Sequence, residues 1–384
     1  MAGLFNFDFY EILVWVAVAL FAVIASAFGR VPLKKPGGIG QPLPNPLVIV
    51  LPIVFFTLMA ALRKNIGDTF YYVHSFELMG DNNEVSFALF RESMFGFFQN
   101  IIRNMTDDPQ WLIAFTGIMS VPVPIYILYK YSYPFEISIF LFVAVGYFGG
   151  LMNGCRQYMA TAIVLLATKY LLSNEKNTFA SFLKYSIIIV IASFMHSSAL
   201  VMIPIYFVVR RPAWKLGSYL LIVASVVGVV FFDALMPGFL GALEQSDYSI
   251  YSENGWFTNG TEGGTNIFRV AVAIVPIVLA YINRDRMKML GRTGDTLINI
   301  AFVNAAIYVL SIYNWIFARV AIYLSIYFII LTSWLLTVGV KPKDRTAYTI
   351  VGIMLFFIYS RWLSYQIAAY ESDYFFPGRT LFGG

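Results

Sequence analysis

The stretch from Phe182 to Val209, FLKYSIIIVIASFMHSSALVMIPIYFVV, decides how the rest of the chain threads. It is almost wholly apolar, with His196 in its middle, and Arg210, Arg211 and Lys215 follow it directly. Lys169, Lys176 and Lys184 mark the loop before it as cytoplasmic, because basic loops are retained inside. One crossing would put Arg210, Arg211 and Lys215 outside, against that bias. Two short helices with their tip at His196 return them to the inside. At ~1.5 Å rise per residue each half spans only ~20 Å, short of a ~30 Å hydrocarbon core. His196 would then sit at the floor of a water-filled dip, where a broken helix is tolerated because it lines a cavity. Ser197 and Ser198 suit the N-cap of the second half. A single long tilted helix is the other reading.

Composition sets the class around this stretch. Hydrophobic residues make up 59% of the chain and charged residues 12%, about half the charge of a soluble domain. Repeated apolar runs of membrane-spanning length give an all-α polytopic membrane protein with about eleven or twelve transmembrane helices. The net charge of +5 is scattered over loop ends rather than gathered in a stripe. That pattern fits positive-inside topology and not nucleic-acid binding. The single Cys155 excludes an intramolecular disulfide framework and a cysteine metal cluster. The first apolar run has no basic leader and reads as a retained span rather than a signal peptide.

In chain order, the first span at roughly 11–28 leads to a basic, Pro-rich loop from Gly29 to Pro46, placed in the cytoplasm. A span at roughly 47–62 follows, and then a long extracytoplasmic segment, 63–110. In it Phe87, Phe90, Met94, Phe97, Phe98 and Ile101 recur at helical spacing, which predicts an amphipathic helix on the outer membrane surface. A second extracytoplasmic loop, 239–266, carries Glu244, Asp247, Glu253 and Glu262 and no basic residue. No soluble domain interrupts 1–384, so the chain reads as one integral membrane domain.

Basic residues predicted at the outer face are Arg63, Lys64, Arg91, Arg103, Arg156, Arg269, Arg319, Arg361 and Arg379. Topology should deplete that side, so the set asks for a partner. Guanidinium forks suit phosphate and diphosphate oxygens. Snorkelling, or pairing with a carboxylate, explains any one of them as readily. Arg156, Arg269 and Arg319 together, all at outer ends of spans, favour an anion site. Asp68, Glu92 or His196 could take a proton from a sugar hydroxyl. The plain alternatives are an Asp68 that pairs with Arg63 or caps a helix, a solvated Glu92 and a His196 bonded to a carbonyl. Two histidines and one cysteine offer no metal-ligand cluster, so no metal and no cofactor are expected.

The order Leu62-Arg63, Ile66-Gly67-Asp68-Thr69, Tyr72, Arg91-Glu92, Phe95-Gly96-Phe97, Asn153-Gly154-Cys155-Arg156-Gln157, Phe194-Met195-His196-Ser197-Ser198-Ala199, and Arg319 through Tyr323 and Tyr327 resembles the EpsG family, related to Wzy-type polysaccharide polymerases. The resemblance covers nearly the whole chain. The Pro-rich loop after the first span and the 239–266 segment depart from it. It implies a metal-independent membrane glycosyltransferase of the GT-C type in the bacterial cytoplasmic membrane, with its site facing outside. The implied substrate is an undecaprenyl diphosphate-linked oligosaccharide, joined into an exopolysaccharide, capsule or O-antigen, with a flippase and a chain-length regulator as partners beside membrane lipid. Arg156, Arg269 and Arg319 would hold the diphosphate with Arg63 as a helper, Gln157 and Tyr323 would orient sugar or phosphate, and Asp68, Glu92 or His196 would be the base. Rival readings are a flippase for the same units, an acyltransferase that modifies polysaccharide, and a scaffold subunit.

Overall fold

Helices dominate, and many of their exposed faces are apolar. The computed structural model describes residues 9–28, 30–32, 42–64, 66–79, 93–173, 179–231, 264–337 and 339–373. The helices are α1 (Phe9–Ala27), α2 (Val50–Ala61), α3 (Thr69–Glu77), α4 (Ser93–Met105), α5 (Gln110–Ser120), α6 (Pro122–Tyr131), α7 (Phe135–Ala144), α8 (Tyr147–Asn153), α9 (Cys155–Leu165), α10 (Thr168–Leu171), α11 (Phe179–Ser193), α12 (Met202–Val209), α13 (Leu216–Val230), α14 (Ile267–Ile282), α15 (Arg284–Met287), α16 (Gly291–Leu310), α17 (Ala318–Ala321), α18 (Ser325–Leu336) and α19 (Arg345–Asp373). On α1, Phe9, Ile12, Val16, Leu20 and Val23 are exposed at helical spacing. Leu216, Leu220, Val223 and Val227 repeat the pattern on α13, and Val351, Leu355 and Ile358 on α19. Such stripes on outer helices face lipid, not water.

Among the described residues five helical stretches are long and apolar enough to cross a membrane: Phe9–Ala27, Gln110–Tyr131, Arg284–Leu310, Trp315–Leu336 and Pro342–Ser364. The pair α7 and α8, bent by 47°, makes a sixth if counted as one span. The bend falls at Gly146, whose φ of 81° suits glycine. Shorter apolar helices complete the bundle, among them α11, α13 and α14. The protein is therefore a polytopic α-helical membrane protein. Several apolar helices among the described residues are shorter than a full crossing, as expected for the two halves of 182–209. The basic loop after α1 pairs instead as a small antiparallel ribbon, Arg30–Pro32 against Pro42–Pro44.

The decisive stretch folds back on itself. α11 ends at Ser193, the chain turns through Phe194–His196, and a 3-10 turn at Ser197–Val201 leads into α12. Phe182 meets Phe207 at 4.7 Å between ring centroids, and the Tyr185 hydroxyl donates to the Met202 carbonyl at 2.9 Å. The two halves are thus antiparallel neighbours. Arg210, after α12, donates to the carbonyls of Tyr170 and Leu171, closing the C-terminus of α10. His196, not a serine, takes the N-cap position, and no side chain caps the turn there. Ser198 points elsewhere, as described below.

α18 lies at the centre, and Ile326 through Leu336 are all buried, as expected of a helix that is apolar all round. Of the apolar pattern predicted for α4, Phe87 and Phe90 lie outside the described residues. Its Phe95 is buried and its Phe98 packs on Phe115 of α5 at 4.8 Å, so part of its apolar face meets protein.

Arg103 and Arg361, both predicted at the outer face, have carboxylate partners among the described residues. Arg103 pairs with Asp107 at 2.8 Å. Arg361 of α19 pairs with Glu11 of α1 at 2.6 Å, both largely out of solvent. Loss of one partner from a buried pair leaves an uncompensated charge and costs ~3–5 kcal/mol. Glu11→Gln should therefore lower the melting temperature of the detergent-solubilised protein, and Glu11→Leu with Arg361→Met should recover most of the loss.

Candidate functional site

The site is built outward from Arg63. α2 and α5 approach closely because Gly117 lacks a side chain: a Cβ there would come within 3.0 Å of the Ala61 amide nitrogen. That contact sets Arg63, just past the end of α2, beside Thr116 of α5. Arg63 is fully buried at 0% exposure. Its Nε donates to Thr69 Oγ1 at 2.9 Å, and Nη2 to Thr116 Oγ1 at 3.1 Å and Cys155 Sγ at 3.2 Å. Nη1 donates to the Ala60 carbonyl. Thr69 and Thr116 pass their own hydroxyl protons to the carbonyls of Ile66 and Ile113, at 2.5 Å and 2.8 Å. Arg63 thus binds the ends of α2, α3 and α9 to α5.

That clamp fixes the turn carrying Asp68. Gly67 has a φ of 60°, and a Cβ there would overlap the Asn153 carboxamide. The turn therefore packs against the end of α8 only because residue 67 is glycine. Asp68 stands at the N-cap position of α3 without a side-chain capping bond. Its carboxylate makes no ion pair or hydrogen bond among the described residues. Its side chain is exposed, yet the protein around it excludes enough water to push its pKa above the ordinary carboxylate value. The guanidinium groups of Arg319 and Arg63 pull the other way.

Arg156 follows on α9, with its guanidinium 5.8 Å from the centre of the Phe95 ring. Phe95 in turn meets Tyr72 edge-on at 5.8 Å. Tyr72 is buried beside the Arg156 backbone amide, and that burial raises its phenol well above the ordinary value. Met94 donates its amide to the Phe194 carbonyl at 3.0 Å. This bond brings the start of α4 to the His196 turn. The His196 ring lies 3.4 Å from the Ser198 hydroxyl, and Ser198 lies 2.8 Å from the Tyr323 hydroxyl. Arg319 sits over the Trp315 ring at 4.8 Å, and its carbonyl accepts from Gln157 Nε2 at 2.8 Å.

Segments distant in sequence therefore converge. Asp68, Arg156, His196 and Arg319 are at least partly open, while Arg63, Gln157 and Tyr323 are buried and hold other parts of the protein. Gln157 was expected to orient a sugar or phosphate; its amide grips the Arg319 backbone. Tyr323, expected at the ligand, is tied to Ser198. Glu92 lies outside the described residues. Arg269 is grouped elsewhere, in a cavity with Asn304, Tyr308 and Tyr359. Among the described residues no group of three His, Cys, Asp or Glu side chains could hold a metal ion. Thr116 and Trp315 carry no sequence signal of what they touch, because a threonine and a tryptophan in apolar stretches are ordinary there.

Such an arrangement places arginines, and a carboxylate that no described residue pairs, at the helix ends of a polytopic membrane bundle. The chain belongs to the EpsG family, whose model matches residues 47–377. EpsG is the Wzy-like polysaccharide polymerase family, so the chain is placed among glycosyltransferase-like polymerases. No curated protein and no solved structure matches it.

The clamp has a measurable role. Arg63→Ala strands the Ala60 carbonyl and two threonine hydroxyls and should cost on the order of 3 kcal/mol, seen as a lower melting temperature and yield. Cys155→Ser keeps an acceptor for Nη2 and should remain close to the unaltered protein in the same assay.

Proposed function

We propose that the protein polymerises undecaprenyl diphosphate-linked oligosaccharide units at the outer face of the bacterial cytoplasmic membrane, as a metal-independent glycosyltransferase of the GT-C type. The observation that carries this reading is the open Asp68 carboxylate, unpaired and within the field of Arg319 and Arg63. In the reaction the bond between the sugar anomeric carbon and the diphosphate oxygen breaks. A new bond forms from that carbon to an acceptor hydroxyl. Asp68 receives the hydroxyl proton, and the leaving diphosphate stays on its lipid with its charge held by Arg156 and Arg319. Guanidinium forks suit this task, since the leaving group presents several oxygens and no covalent bond to the protein is needed. His196 and Ser198, hydrogen-bonded to one another beside Tyr323, can donate to phosphate or sugar.

A base must be ionised to work. Its pKa lies above the ordinary carboxylate value, so activity should fall as pH drops through that raised pKa and be full above it. With purified protein and a synthetic lipid-linked oligosaccharide, the acid limb of the profile should be present in the unaltered protein. Asp68→Asn should lower the rate by about 10²-fold or more, and the residual activity should lack that limb. Arg156→Gln and Arg319→Gln should each lower it by about 10²-fold. Unchanged polymer yield and length in the Arg156 variant would remove that residue from the site.

A further inference from the structure

Arg269 marks a place that the cluster around Asp68 does not include. It is half-buried near the N-terminus of α14, and its guanidinium makes no hydrogen bond or ion pair among the described residues. The cavity it lines is also lined by Asn304, Tyr308, Ser325 and Tyr359, with no carboxylate. Asn304, 3% exposed, carries an amide nitrogen that can donate into this space. A charge held at low dielectric without a counter-ion calls for an anion.

Beside this cavity runs an apolar groove of about 500 Å³ between α14 and α19, floored by Leu336. Val272 and Tyr359 line both spaces. The groove extends from Phe268 to Leu279 on α14 and from Tyr359 back to Tyr348 on α19. These twelve residues, eleven helical rises, cover ~16 Å along the helix axis. Phe268, Tyr359 and Trp362 close its Arg269 end, with ring centroids 5.1 to 5.8 Å apart. Thr265, just before α14, donates its amide to Ser311 at 2.6 Å. Ser311 lies just past the end of α16, a few residues before Arg319, so Arg269 and Arg319 share one end of the bundle.

We infer that this groove binds a second lipid-linked unit, its phosphate head on Arg269 with the Asn304 and tyrosine donors, its hydrocarbon chain along α14 and α19. The inference rests on the proposed polymerisation, which consumes two lipid-linked units: one at Arg156 and Arg319 beside Asp68, the other here. Charge complementarity at the mouth and an apolar channel leading from it fit an anionic lipid and no soluble anion.

Native mass spectrometry of the purified full-length protein, titrated with undecaprenyl phosphate, tests this. The unaltered protein should take up two molecules. Arg269→Gln should weaken one of the two sites by about tenfold or more. Ala347→Trp or Ala271→Phe, which fill the groove from exposed positions, should weaken that same site with an unchanged melting temperature. Arg156→Gln should weaken only the other. Uptake of a single molecule, sensitive to Arg156→Gln alone, would overturn the inference and leave the proposed reaction standing. Equal displacement by phosphatidylglycerol at the Arg269 site would overturn it as well, making the groove an ordinary lipid contact. No uptake at either site would overturn the proposed substrate itself.

Discussion

The arrangement of the site depends on one buried guanidinium. Arg63 has no exposure, and a charge in such a place is tolerated only when its N–H groups all find acceptors. They find them on the ends of α2 and α3, on α5 and at the start of α9. This requirement fixes four chain segments at once. The turn bearing Asp68 lies between two of them, and Arg156 follows directly after Cys155. A buried residue therefore sets where Asp68 and Arg156 stand.

Polar residues in the bundle divide into two kinds. Arg63, Gln157 and Tyr323 are buried and bonded to other protein groups, so their contribution is position. Asp68, Arg156, His196 and Arg319 keep exposure and so can be reached from outside the protein. Gln157 connects the two kinds, because its bond to the Arg319 carbonyl orients the short segment on which the Arg319 side chain turns outward. Such a division follows from the low dielectric of the interior: a polar group that is not functional must be satisfied, and one that is satisfied has little left for a ligand.

The class of fold was legible in the sequence because apolar length and charge placement report directly on lipid contact. The reversal at His196 was legible for the same reason, since Arg210 had to return to the side of Lys169. Span lengths were less so: Gly146 bends one apolar run, and several other runs are shorter than a bilayer crossing. Within the site, Asp68, Arg156, His196 and Arg319 do converge. Spacing could not show that Arg63, Gln157 and Tyr323 serve as supports, because burial and partner choice are tertiary facts. Nor could it separate Arg269, which shares an outer-end position with Arg319 but faces a different helix pair. The pairing of Arg361 with Glu11, at opposite ends of the chain, was equally invisible.

The most direct measurement is an experimental structure of the full-length protein in a nanodisc with a non-transferable phosphonate analogue of an undecaprenyl diphosphate-linked sugar. The account predicts diphosphate oxygens within hydrogen-bond reach of Arg156 and Arg319, and the sugar against Asp68. An analogue bound with its diphosphate away from both arginines, or with Asp68 facing no part of the sugar, would contradict it.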